Sequence, residues 1–180
     1  LADDNGTGWA SFTFQVRDNG GTANSGTDLD ASPNTITLNV NPVNDIPSFT
    51  KGGDQTVAED AGPQTVNGWA TNLVKGPVNE AAQTLSFQII SNSAPLKFSA
   101  GPSVSAAGVL TYTPAANAAG TVTITLAIKD DGGVTNGGID LSVTQSFTIT
   151  LTPANDAPAG TDKTITSAED ADYTFAGADF

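Results

Sequence analysis

Carboxylates are the only abundant reactive side chains in this chain. It contains 19 Asp and Glu but only 6 Lys and Arg, which gives a formal net charge of −13, and it has no His and no Cys. Imidazole-based catalysis, thiol nucleophiles and imidazole metal sites are therefore excluded. Paired carboxylates could still hydrolyse glycosides, but that reaction needs two acids at a fixed separation in a cleft. Because the acids here cluster in turns, we expect that the protein is not an enzyme.

A chain this acidic can disperse its charges over a soluble surface, or it can neutralise some of them with divalent cations. Calcium suits such acids, because it accepts about six to eight oxygen ligands, including carboxylates and carbonyls from separate loops. The same negative charge repels phosphate backbones and anionic lipids, so nucleic acid is not expected as a partner. No apolar run reaches the length needed to span a bilayer, so membrane insertion is not expected either.

The pattern that organises the chain is a repeat of about 110 residues. The clearest string, Val43-Asn44-Asp45-Ile46-Pro47, returns as Ala154-Asn155-Asp156-Ala157-Pro158. Two further strings recur in the same order: 18–21 as 130–133, and 56–61 as 164–171. The repeat predicts the C-terminal part of one domain at 1–45, a complete domain at 46–157 and the N-terminal part of a third at 158–180.

The elements that must position these acids are short strands. Apolar residues alternate with polar ones, and turn residues separate the alternating segments. The predicted strands cover 10–17, 34–41, 54–58, 64–66, 84–90, 96–99, 108–113, 121–129 and 145–152. Each alternating strand is expected to bury one face, including Ile36, Leu38 and Val40 in the second strand. Residues 68–80 are predicted as a loop with one helical turn, anchored by Trp69. Seven or so short strands in about 110 residues predict an all-β, immunoglobulin-like Greek-key sandwich.

The strings also carry a family resemblance. Asn-Asp-x-Pro stands at each junction, the acidic pair Glu59-Asp60 follows the first strand of the complete domain, and a later strand ends in Asp-x-Gly-Gly at 130–133. Together they resemble the bacterial cadherin-like repeats, also called tandem-95-type repeats, of large surface adhesins. The resemblance covers essentially the whole chain. It implies tandem cadherin-like sandwiches, one complete and two partial.

The resemblance further implies calcium bound between successive domains. Carried over by position, the first junction would use Asn44 and Asp45 with Asp130 and Asp131 from the following domain. The second junction would use Glu59 and Asp60 with Asn155 and Asp156. The chain departs from classical cadherins at 114–120, where it has no carboxylate, and it has no Asp-x-Asp in the first loops of the complete domain. The resemblance therefore implies at most one calcium ion at a junction, and not the full set of three.

Simpler interpretations remain open for the same residues. The string from Asp130 to Gly133 can be explained as a hairpin turn alone. Asn44-Asp45 and Asn155-Asp156 can simply interrupt the chain before proline. The pair Glu59-Asp60 can be a solvated strand end.

Three functions follow from the sequence. The first is a structural repeat module of an extracellular adhesin stalk or surface filament on a bacterium, stiffened by calcium and contacting neighbouring repeats. The second is a module that binds a carbohydrate or protein through exposed loops such as 68–80 and 18–30. The third is a subunit of a laterally polymerised sheath or filament.

Overall fold

The structure, a computed structural model, describes residues 3–158 and 160–177. Within these residues the chain forms strands and short 3-10 turns but no α-helix, so the all-β prediction is confirmed. The strands are β1 Gly6–Phe14, β2 Asn34–Val40, β3 Ser48–Thr50, β4 Gln55–Ala58, β5 Gln64–Val66, β6 Thr71–Val74, β7 Ser86–Asn92, β8 Phe98–Val104, β9 Leu110–Pro114, β10 Gly120–Lys129 and β11 Gln145–Thr152. In this part of the chain no helix is long and apolar enough to cross a membrane.

Strands β3 to β11 build a sandwich. One sheet has the order β4-β11-β10-β7, and opposite it lie a three-stranded sheet, β5-β9-β8, and the pair β3-β6. Strand β4 runs parallel to β11, whereas all other pairs are antiparallel. The order β7-β10-β11 corresponds to strands C, F and G of an immunoglobulin-type sandwich, and β5-β9-β8 corresponds to B, E and D.

The core lies between these two layers. Alternate residues of β10 and β11 point inward as the period-two pattern requires, and Ile124, Leu126 and Ile149 are completely buried. They form one cluster with Leu110 of β9 and with Trp69. Trp69 was predicted to anchor a loop, and its ring lies 4.5 Å from that of Phe147, so the residue belongs to the core. This packing fixes the ends of β10 and β11, where the junction residues begin.

Some predicted boundaries were wrong. The segment 68–80 was expected to be a loop with one helical turn; the turn is present as a 3-10 turn at Val78–Glu80, but the segment also contains strand β6. Strand β6 pairs with β3, which was not predicted, because a three-residue strand is too short to show alternation. Residues 95–97 form a 3-10 turn, and β8 continues to Val104 through register shifts that hide the pattern.

The hairpin β1–β2 has the same construction as β10–β11. Phe12 pairs with Ile36 as Ile124 pairs with Phe147, and the isolated bridge between Arg17 and Leu29 returns as that between Lys129 and Leu141. The predicted burial of this hairpin is wrong, however: Ile36, Leu38 and Val40 are exposed. In the described residues β1 and β2 pair only with each other, and the exposure of their apolar side chains shows that no second layer covers them.

The domain limits at 45 and 157 stay predictions. Residues 160–177 contain no strand, and residues 1–2, 159 and 178–180 of the predicted outer domains lie outside the described residues.

Candidate cation sites at the two junctions

The first candidate site surrounds the linker that follows β2. Asn44 Nδ2 donates to Asp130 Oδ1 over 3.0 Å and to the carbonyl of Ile139 over 2.8 Å. Asn44 Oδ1 accepts from Gln83 Nε2 at 2.6 Å, and its backbone carbonyl accepts from the Ile139 N–H at 3.0 Å. Two residues predicted for this site, Asn44 and Asp130, are therefore in direct contact across 86 positions of sequence.

Glu80 holds the next linker residue. Its Oε1 accepts the backbone N–H of Asp45 at 2.9 Å. The 3-10 turn Val78–Glu80 places this carboxylate inside the structure, where only 6% of the residue is exposed. A glycine is required beside it, since a Cβ on Gly76 would lie 1.7 Å from Glu80 Oε2 and its φ is +150°. Sequence reasoning did not select Glu80, although it is one of only three glutamates in the chain.

Three buried oxygen atoms at this junction have no hydrogen-bond partner among the described residues. They are Glu80 Oε2, Asp130 Oδ2 and Gln83 Oε1. A buried carboxylate oxygen without a donor is costly, because burial removes the water that would solvate its charge. A bound cation would supply the positive charge that stabilises such oxygens in place of water. Oxygens of this type are the ligands that a hard cation takes in proteins.

Further carboxylates line a cavity beside the linker. A cavity of about 260 Å³ is lined by acidic and amide side chains from both sides of the junction, among them Asp3, Asp4, Asp45 and Asn79. Sequence reasoning missed Asp3 and Asp4. The signal was present, because Asn5 matches Asn117 in the repeat and the two acids therefore stand where the second copy has Ala115 and Ala116.

Asp131 has a separate partner. Its Oδ1 accepts the Thr84 N–H at 2.8 Å, and its Oδ2 accepts the Thr84 hydroxyl at 2.7 Å. These bonds, first the one from the hydroxyl and then the one from the backbone, lower the pKa of Asp131 from its ordinary value. Both oxygens of Asp131 are thus engaged by Thr84, which precedes β7, and not by Asn44.

The second candidate site lies where β11 leaves the sandwich. One oxygen each of Glu59, Asp60 and Asp156 lies within 4.8 Å of the other two. Glu59 is buried and already accepts two N–H groups, from Ala119 at 2.7 Å and from Ala154 at 3.0 Å. The structure therefore brings together three of the four residues predicted for this junction. The side-chain amide of the fourth, Asn155, donates to the carbonyl of Asp156 at 3.2 Å.

A lysine distinguishes the second junction from the first. In the carboxylate-free loop 114–120, the ammonium of Lys97 donates to the carbonyls of Ala118 and Ala119. The Ala119 N–H in turn donates to Glu59. The loop that carries Asp3 and Asp4 at the first junction is thus, at the second, bound by a lysine ammonium.

The fold and these clusters define an all-β sandwich whose two junctions concentrate carboxylates and amides. Comparisons with protein-family models and with curated proteins found no match for this chain.

Proposed function

We propose that this protein is a structural repeat module of an extracellular stalk or surface filament on a bacterium, and that calcium stiffens its interdomain junctions. The observation that carries the proposal is the pair of buried carboxylates, Glu80 and Asp130, which each have one oxygen without a partner among the described residues. Both carboxylates also bind the linker directly, through Asp45 and Asn44. A cation bound at either carboxylate would therefore act on the linker.

The donor set favours calcium over other common metals. With no His and no Cys in the chain, the available ligands are carboxylate, amide and carbonyl oxygens. Such a set suits calcium or magnesium but not the metals that prefer nitrogen or sulfur. Magnesium requires near-octahedral geometry and keeps several waters, whereas calcium accepts an irregular shell gathered from separate loops. The first junction gathers its oxygens from the linker and from the loops after β6 and β10.

The mechanism is electrostatic and mechanical. Without a cation, the acids of a junction repel one another, and the linker is held only by the hydrogen bonds of Asn44 and Asp45. With a cation bound to both sides, the angle between successive repeats is fixed and the folded state is stabilised by ligand linkage. A chain of such repeats would be rigid in a calcium-rich external medium. Its partners in this role are the neighbouring repeats.

Thermal unfolding with calcium, with magnesium and with chelator tests the proposal. Calcium at about 100 times its dissociation constant should add roughly 2.7 kcal/mol to the free energy of unfolding. For a domain of this size that corresponds to a rise of the order of 10 °C in Tm. Magnesium should give less. A Tm that is the same in calcium and in chelator would refute the calcium assignment.

Matched variants locate the site. Glu80→Gln and Asp130→Asn remove one charge each from the buried pair and should each abolish most of the calcium-dependent rise. Asp131→Asn is the control, because it removes the same charge from the adjacent residue, whose oxygens bind Thr84. It should keep the calcium response even if its baseline Tm falls. A response lost in Asp131→Asn but kept in Asp130→Asn would show that the ligands are assigned wrongly.

A further inference from the structure

The hairpin β1–β2 exposes an apolar face that a folded protein normally covers. Phe12, Phe14 and Val16 of one segment, and Ile36 and Leu38 of the other, are between 38% and 60% exposed. The two phenylalanine rings lie side by side, with centroids 6.4 Å apart. The opposite face carries hydroxyl groups, such as Thr13 opposite Thr35. The hairpin is therefore amphipathic, and its apolar face is of the kind that folded proteins bury.

The second copy shows what covers such a face. The counterparts of Phe12, Phe14 and Ile36 are Ile124, Leu126 and Phe147, which occupy the same register positions and are at most 2% exposed. They are covered by the layer formed by β5, β8 and β9, which belongs to the same buried cluster. All of those strands precede β10 in the chain.

The turn residue Asp18 is a second indication that the missing layer comes from an earlier part of the chain. Asp18 accepts the Gly20 N–H at 2.9 Å and donates its own N–H to the Asp28 carbonyl at 2.9 Å. Asp130 makes the same pair of bonds, with Gly132 and Asp140, and in addition accepts the side-chain amide of Asn44 from the preceding linker. Asp18 is therefore placed to accept a hydrogen bond from the asparagine of a linker that lies before it in the chain.

We propose that the hairpin β1–β2 is the docking surface for a segment of the same protein that precedes its first residue. That segment supplies the opposite layer of a second sandwich against Phe12, Phe14 and Ile36, and a linker asparagine against Asp18. Since the repeat is about 110 residues long, the asparagine belongs to an Asn-Asp-x-Pro string about 70 residues before the first residue. This inference does not depend on calcium or on the cellular role.

A second copy of the chain is the weaker candidate for the occupant. Its sandwich already covers its own β10–β11 hairpin, so that layer is not free to accept another. Its described C-terminal residues, 160–177, contain no strand that could form a new layer.

Hydrogen exchange tests the proposal on two forms of the protein, the 180-residue chain and a form extended at the N-terminus by the roughly 70 preceding residues that the proposal requires. An isolated two-stranded hairpin is only marginally stable, so the amides of β1 and β2 should exchange rapidly in the short form. In the extended form they should exchange at least about 100-fold more slowly. The amides of β10 and β11 are the internal control and should exchange equally in both forms.

Variants of the extended form separate docking from other causes. Phe12→Asp places a charge on the apolar face and should remove the protection of the hairpin, whereas Thr13→Asp, on the opposite face, should keep it. Three outcomes would overturn the proposal: equal protection in both forms, protection of the short form that rises with protein concentration, or preceding sequence without the Asn-Asp-x-Pro string. The second outcome would identify a second copy as the occupant.

Discussion

Replacing Gly132 with alanine should detach the linker from the complete sandwich without changing any charge. A Cβ at this position would lie 1.8 Å from Asn44 Oδ1 and 2.4 Å from Gln83 Nε2. Both distances are far below van der Waals contact, so Asn44 must leave its place between Gln83 and Asp130. The backbone at Gly132 does not require glycine, because its φ lies outside the left-handed region. The effect of the substitution is therefore purely steric.

The cost follows from the bonds that Asn44 loses. They are the bonds to Asp130, to the carbonyl of Ile139 and from Gln83, at 3.0, 2.8 and 2.6 Å. A net contribution of about 1 kcal/mol for each gives roughly 3 kcal/mol. Alanine restricts the unfolded chain more than glycine does, and this offsets about 0.4 to 1 kcal/mol of the lost stability. The expected net loss in the free energy of unfolding is about 2 to 2.5 kcal/mol.

Urea unfolding monitored by Trp69 fluorescence measures this loss. Gly53→Ala is the matched control, because a Cβ there meets nothing within 4 Å, and it should change the free energy of unfolding by less than about 1 kcal/mol. A Gly132→Ala protein as stable as Gly53→Ala would refute the account of how Asn44 holds the linker.

Two further predictions concern single carboxylates. Glu59→Gln should lower the free energy of unfolding by about 1.5 to 3 kcal/mol in urea titrations, because the two N–H groups of Ala119 and Ala154 lose a charged acceptor; the exposed Asp60→Asn is the control, and equal effects would contradict the prediction. The pKa of Asp131 is lowered in the folded state by Thr84, so the stability it contributes is complete above the ordinary value of 3.8 and is lost as the pH falls through the lowered pKa. Thr84→Val should weaken this loss of stability below about pH 4, and an unchanged pH profile would contradict the assignment.

Local patterns were sufficient to predict the strands with the clearest alternation. Strand β11 has the predicted limits, and β10 begins one residue earlier than expected. Both strands lie in the centre of one sheet, where a period of two directly reports which residues face the core. The short strand β3 was not predicted, and the predicted strand 96–99 covers only the first two residues of β8, because both strands are defined by their partners and not by their own pattern.

The candidate sites, like the strands, were predicted only in part from the sequence. The family resemblance selected Asn44 and Asp130, which are in contact, and Glu59, Asp60 and Asp156, which form one acidic cluster. It did not select Glu80 or Gln83. Glu80 ends the segment that was predicted to be a loop with one helical turn, Gln83 follows it, and nothing in their immediate sequence indicates that they reach the linker.

By itself, the sequence determined the all-β class and the repeat, and it predicted two junctions, because these depend on residue spacing along the chain. Only the tertiary structure decided which oxygens meet at a junction and which of them lack a donor, since Glu80 reaches Asp45 across 35 positions and Asp130 reaches Asn44 across 86. The tertiary structure also decided that the same alternating pattern is buried in β10–β11 and exposed in β1–β2. An alternating strand has an apolar face in either case, but whether that face is buried depends on a second layer, which the strand's own residues do not encode.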